Sequence, residues 1–270
     1  MDKVKLSFDE IKSLQTDILI ATVDFCEKHN LKYFLAYGTL LGAIRHKGYI
    51  PWDDDIDIVM PRQDYNTFID TFNKENKGTH YLAIPPFKGN HTILKVADTR
   101  TFIQSVVYKD MRKKGCYRTI DIFPLDGVPE DSEKYKEWYQ KLHEIYYGFY
   151  RKQQAFSGGI KSRIKLLIAK LRNHAYLPKS SFRKQSKKLH SQYSYENCQY
   201  IGAIESTANS IKNKVKKEWY DEYVLVDFEG HKLRAPKNYH EILSSLYGDY
   251  MECPPVEQQV FLHLEDVFWR

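Results

Sequence analysis

The stretch Ala36–Tyr65, AYGTLLGAIRHKGYIPWDDDIDIVMPRQDY, governs how the rest of the chain is read. The apolar run Tyr33 to Tyr37 reads as a strand ending at Gly38, and Thr39 to His46 has helical spacing directly after it. Gly48 and Pro51 then mark a turn. In DDDIDIVM, Ile56, Ile58 and Met60 alternate with Asp55, Asp57 and Val59, which is the period of a strand. Asp55 and Asp57 therefore project from one face. Two neighbouring carboxylates raise each other's proton affinity unless a cation lies between them. Oxygen ligands alone favour Mg²⁺ or Mn²⁺ over zinc.

The same pattern of an aspartate between two apolar residues recurs at Ile120-Asp121-Ile122. Placed on a neighbouring strand, Asp121 gives a third carboxylate, and three such groups suit one metal or two in phosphoryl transfer. Taken alone, WDDD is as readily a solvated acidic loop or a helix cap. The repetition of the motif, with a glycine turn upstream, is what points to a metal site. Gly38 and Thr39 at a strand-to-helix junction offer backbone N–H groups and a positive dipole end to a phosphate.

Outward from this stretch, Ser7 and Glu10 form a capping box for a helix whose Ile11, Leu14, Ile18, Ala21 and Phe25 share a face as far as His29-Asn30. Asp64 to Phe72 reads as a helix after Pro61. From Tyr81 to Phe123 the chain is β-rich, in YLAI, HTILKVAD, FIQSVVY and RTIDIFPLD. Asp131 to Tyr150 is helical and aromatic. After Ser157-Gly158-Gly159 comes IKSRIKLLIAKL, with Ile160, Ile164, Leu167, Ile168 and Leu171 on one helical face and Lys161, Arg163, Lys165 and Lys170 off it. The last third mixes short strands (VLVDFEG, HKLRAP) with a helix in NYHEILSSLYG. The expected class is α+β, a mixed sheet flanked by helices, in three parts: a core at 1–130, a helical basic insertion at 131–200, and an α/β extension at 201–270 that completes the core.

With 42% apolar and 28% charged residues the 270-residue chain is globular in composition. MDKVKLSFDE has no apolar stretch behind its charges, so no secretory signal is expected, and no run reaches the length of a membrane span. Cys26, Cys116, Cys198 and Cys253 lie far apart without a CxxC, which suggests reduced thiols in a cytoplasmic setting. The net charge of +6 is uneven. Twelve of the 41 basic residues and no acidic one fall between Ile145 and Tyr195, so the remainder of the chain is slightly acidic. Such a segment seeks an anionic partner, and residues 160–190 fit a peripheral contact with an anionic membrane.

The run from Ala36 to Tyr65 resembles the signature of the LicD family of phosphocholine transferases, which is similar to the fukutin-related proteins. The likeness continues through LKVADTRT (Leu94 to Thr101), IDIFPLDGVP (Ile120 to Pro129), and DFEGHKLRAPKNYHEIL with LYGDYMECPP (Asp227 to Pro255). It implies a divergent nucleotidyltransferase fold that moves phosphocholine from CDP-choline to a glycan hydroxyl, the acceptor being a lipid-linked precursor of teichoic acid or lipo-oligosaccharide. By motif position Asp55, Asp57 and Asp121 would be catalytic metal ligands, and Gly38 and Thr39 phosphate contacts. Asp53 holds the leading acidic position and would steer the site.

Arg45, His46 and Lys47 are candidates to steady a leaving phosphate, or are simply cations suited to a helix C-terminus. Lys95 is a further phosphate candidate. Choline carries no hydrogen-bond donor and needs aromatic faces, for which Trp52, beside the aspartates, is the candidate. A DxD glycosyltransferase, a nucleotidyltransferase acting on another substrate and a calcium module are the competing classes. The last lacks the EF-hand glycine, since Ile58 stands there. No RNA-binding signature is present, and no nucleic-acid partner is expected.

Overall fold

A computed structural model describes residues 4–88, 91–104, 117–157, 179–203, 213–260 and 266–270. Helix α1 (Phe8–Lys28) starts at the expected box: the Ser7 hydroxyl accepts from the Glu10 N–H, and the Glu10 carboxylate accepts from the Ser7 N–H at 2.7 Å. Its apolar stripe, Ile11, Leu14, Ile18, Leu19 and Val23, is buried. Amid that stripe the buried Gln15 is satisfied by donating to the Thr119 carbonyl at 3.1 Å, which ties the helix to the sheet.

The sheet that α1 covers is mixed. Its central order is β1 (Phe34–Leu35), β2 (Asp57–Pro61), β6 (Arg118–Gly127), β4 (Leu94–Asp98) and β3 (Tyr81–Ile84). Strands β7 (Tyr200–Gly202) and β8 (Val215–Lys216) extend it from the far end of β6. Every pairing is antiparallel except β2 with β6, which is parallel and in register Asp57↔Asp121 through Pro61↔Leu125. Helix α3 (Arg62–Glu75) lies on the same side as α1, because Phe68 and Phe72 meet Phe25 edge-on at 5.3 and 5.0 Å. The even-numbered strand residues Ile58, Met60, Ile120 and Ile122 are fully buried in this core.

Two smaller β pairs complete the architecture: β5 (Thr101–Gln104) with β11 (Asp266–Trp269), and the hairpin β9 (Tyr223–Phe228) with β10 (His231–Pro236). The hairpin turns through Glu229 and Gly230, at φ 50° and 80°, as a two-residue turn of this hand requires. A second hydrophobic cluster, around Tyr135, Trp138, Leu142 and Tyr146, belongs to α4 (Ser132–Ser157), which packs against α5 (Lys179–His190). Helix α6 (Tyr239–Tyr247) packs beside α2 (Tyr37–His46). None of the described helices is long and apolar enough to cross a membrane.

Element types match the sequence reading over most of the chain, with three differences. β1 is only two residues long, and the helix expected from Thr39 begins at Tyr37. β2 starts at Asp57, so Asp55 stands before the strand. Helix α3 begins at Arg62, two residues ahead of Asp64, because Pro61 closes the strand and caps the helix in one step. The amphipathic piece Ile160–Leu171 and the second half of FIQSVVY lie outside the described residues.

Candidate active site

At the opening of α2, Ala36 is extended and Tyr37 takes a left-handed φ of 46°, a conformation that costs a side-chain-bearing residue about 1–2 kcal/mol. The surroundings impose it. The Tyr37 ring is buried edge-on against Phe123 at 5.3 Å, and its hydroxyl donates to the Ala203 carbonyl while accepting from the Asn213 amide. Strain held in place by packing is common where a site is assembled. The bend swings Gly38 so close to the acidic loop that a Cβ there would sit 2.5 Å from Asp53 Oδ2. A side chain at 38 would displace the Asp53 carboxylate, so glycine leaves that carboxylate in place beside the helix start.

Thr39 is buried, and its hydroxyl accepts the Asp57 N–H at 2.8 Å. The Asp57 carbonyl in turn accepts the Ala36 N–H at 3.1 Å. Helix start and aspartate strand are thereby bolted together. Across the parallel pair Asp121 lies directly beside Asp57, and its N–H donates to the Ile56 carbonyl at 2.8 Å, carrying the ladder one residue beyond the strand. Side-chain alternation sends Asp57, Asp121 and Lys95 to the sheet face opposite α1 and α3.

The electrostatics of this face are lopsided. Burial, then the charges of Asp55, Asp121 and Asp53, push the Asp57 carboxyl well above the usual carboxylate range, with Lys95 opposing. Lys95, expected to meet phosphate, instead puts its ammonium 2.5 Å from Asp121 Oδ1. Asp54 is withdrawn from the group: it is buried, and Arg118 takes both its carbonyl and its carboxylate. Asp53, Asp55, Asp57 and Asp121 thus crowd one another, with the Lys95 ammonium on Asp121 and the charge of Lys12 acting on Asp53. Among the described residues no three His, Cys, Asp or Glu side chains are grouped so as to hold a metal ion. The donor chemistry nonetheless fits a hard divalent cation, since the groups are all oxygen, raise the proton affinity of Asp57, and already attract the Lys95 ammonium.

The remaining candidates fall around the rim. Arg45 directs its guanidinium to the Tyr250 and Glu252 carbonyls, at 2.9 and 3.0 Å, and to His46 Nε2 at 2.9 Å, so it anchors the C-terminal loop. His46 is held below its ordinary value by burial and by Arg45, and lies edge-on to Trp52 with ring centroids 6.3 Å apart. Lys47 closes α2 in the left-handed region, and its carbonyl accepts the Glu229 N–H at 3.0 Å. One residue was not singled out in the sequence: Tyr247, the last of α6. It is 44% exposed, yet burial and then the charges of Asp57, Asp53 and Asp55 raise its proton affinity, which puts its hydroxyl in the neighbourhood of the aspartates. No signal within the tyrosine-rich helix distinguishes it from its neighbours.

A family model described as LicD/FKTN/FKRP, nucleotidyltransferase domain, matches residues 30–157, which include every aspartate named above. The lipopolysaccharide cholinephosphotransferase LicD of Haemophilus influenzae is 30% identical over 98% of this chain and 98% of its own length. An uncharacterized protein of Rickettsia typhi is 28% identical over 54% of this chain and 53% of its own. The near end-to-end match, together with an aspartate strand that the family model spans, shows that the chain belongs to the LicD family.

Proposed function

We propose that this protein transfers phosphocholine from CDP-choline to a sugar hydroxyl of a lipid-linked cell-surface glycan precursor, releasing CMP, on a nucleotidyltransferase-like core that works with Mg²⁺ or Mn²⁺. The observation that carries the reading is the parallel register Asp57↔Asp121, which sets two carboxylates side by side where the charges of Asp55 and Asp53 also bear on Asp57. The likeness to a cholinephosphotransferase supports the choice of substrate. On this reading residues 1–130 and 201–270 form the catalytic unit and 131–200 an insertion. The basic residues of 160–190 favour a peripheral position on an anionic inner leaflet.

A bound divalent cation would be held by Asp55, Asp57 and Asp121 and would supply charge neutralisation at the phosphorus. The protein's own groups do the rest. The α2 N-terminus, fixed to Asp57 through Thr39, directs N–H groups at the donor phosphate. Asp121 accepts the proton of the acceptor hydroxyl. The new bond joins that oxygen to the choline-bearing phosphorus, the pyrophosphate P–O bond breaks, and its electron pair leaves with CMP. Tyr247 offers an aromatic face to the choline cation.

The test is release of the leaving nucleotide by the purified protein, assayed with and without EDTA for CDP-choline, UDP-glucose, CTP and ATP in the presence of a glycan acceptor. Cation-dependent release of CMP from CDP-choline alone is expected. Turnover of UDP-glucose in its place would transfer the protein to the glycosyltransferases.

A further inference from the structure

A cavity bounded by described residues lies away from the aspartates. It measures about 610 Å³, within the range of small-molecule sites, and opens between α3, α5, the segment around Phe87 and the loop at residues 191–196. Asp126, five residues beyond Asp121 on β6, forms its floor, about 17 Å further along the strand and on the opposite face. The floor is built to stay charged. Arg62 grips Asp126 with two bonds, at 2.7 and 2.5 Å, and His190 Nδ1 approaches the same carboxylate at 2.9 Å. Tyr146 then holds His190 from behind at 2.9 Å. One wall is aromatic: Phe87, kept in a left-handed conformation at φ 61°, stacks on Tyr146 and meets Phe149 edge-on.

The rim carries charge with no ion-pair partner among the described residues. Arg183 and Lys187, at i and i+4 on α5, both line the cavity, are exposed, and form no ion pair with another described residue. Like charges at that spacing destabilise a helix unless an anion lies between them. Asp70 and Glu196 also line the cavity, while Asn66, Ser186 and Ser191 add neutral hydrogen-bonding groups. A polyanion would meet the carboxylates and an apolar ligand would strand the rim. A ligand with one anionic end and several hydroxyls satisfies every wall, with the carboxylates accepting from hydroxyls and an aromatic ring lying under the apolar face of a sugar.

We infer that this cavity is a second binding site, distinct from the aspartate centre, for a phosphorylated saccharide, with its phosphate on Arg183 and Lys187. The site stands independently of the transfer reaction. Isothermal titration calorimetry on the full chain tests it with the 6-phosphates of glucose, galactose, mannose and N-acetylglucosamine, against the free sugars and inorganic phosphate. At least one sugar phosphate is expected to bind about tenfold or more tighter than its free sugar and than phosphate. The Arg183→Glu/Lys187→Glu protein, altered only at exposed positions, should lose that affinity by about the same factor, and Asp57→Asn should keep it. The inference is overturned if no sugar phosphate binds, if inorganic phosphate binds as well as any of them, or if Asp57→Asn abolishes binding that the double variant retains.

Discussion

The parallel strands β2 and β6 carry an acidic group at each end, and the two ends handle their charge in opposite ways. At the far end Asp126 is buried with its cations supplied by the protein: burial alone would raise its carboxyl, but Arg62 and His190 overcome this and hold it well below the usual range. At the near end Asp57 is half-buried and crowded by Asp55, Asp121 and Asp53, and its carboxyl is pushed the other way. A fold that can place Arg62, Arg118 and Arg100 on Asp126, Asp54 and Asp98 clearly has the means to neutralise a buried aspartate. Where it withholds the cation, the balance is left for something that binds. Structural charge is closed within the chain, and functional charge is left open.

The same substitution at the two ends should therefore have opposite consequences. Asp57→Asn is expected to cut turnover about a thousandfold or more, measured as CMP release at saturating donor, since a ligand to the cation and its charge are lost together. The fold should survive, by circular dichroism. Near-normal turnover would remove the distinction between the ends altogether.

Asp126→Asn strips the counter-charge from the half-buried Arg62 guanidinium and the buried His190 imidazole, and should cost about 3 kcal/mol of unfolding free energy in a denaturant titration. The pH dependence follows from the direction of the shift. A carboxyl whose folded value is depressed contributes stability that is present above its unfolded value and lost as pH falls through the folded one. The gap between wild type and Asp126→Asn should thus be full at neutral pH and narrow only in strong acid. An unchanged denaturation midpoint would show that Arg62 and His190 do not need Asp126.

Asp57 has the reverse sign. A carboxyl raised on folding is a burden once pH exceeds its unfolded value, so without divalent cation Asp57→Asn should be more stable than wild type at neutral pH, by on the order of 1 kcal/mol. That advantage should vanish in acid and also when saturating Mg²⁺ stabilises the wild type. Paired thermal melts, in EDTA and in Mg²⁺, measure it. Wild type more stable than Asp57→Asn in EDTA would mean that the acidic end is as well balanced as the other.

How far this contrast was legible beforehand depends on the range of the interactions. Capping of α1 and the strand alternation at Asp57 are set by neighbours within a few residues, and they read directly from the sequence. The partner of Asp121 could be named because the motif repeats, although its register with Asp57 could not. Three things depended on distant chain segments. Gly38 abuts Asp53 only because Tyr37 is forced left-handed by Phe123 and Asn213. Arg45 is diverted by carbonyls more than 200 residues away, as its bonds to Tyr250 and Glu252 show. Lys95 reaches Asp121 only because β4 lies antiparallel beside β6.

Tyr247 gives the smallest expected effect and tests the comparison from the ligand's side. If the near end is open for a charged donor, the aromatic face above it should contribute a little to binding and little to chemistry. The ring is 44% exposed, so a cation–π contact with choline is worth about 0.5–1 kcal/mol and its loss should raise KM for CDP-choline about two- to fivefold. Tyr247→Phe retains the face and should stay close to wild type, whereas Tyr247→Ala should show the rise with kcat nearly unchanged. Inhibition by CMP, which lacks choline, should be equal in all three proteins. If Phe and Ala raise KM alike, the hydroxyl beside the aspartates is the contact. If CMP inhibition weakens together with KM, Tyr247 shapes the nucleotide side, and the choline cation must be met by another face, for which the edge-packed Trp52 is the nearest aromatic already identified.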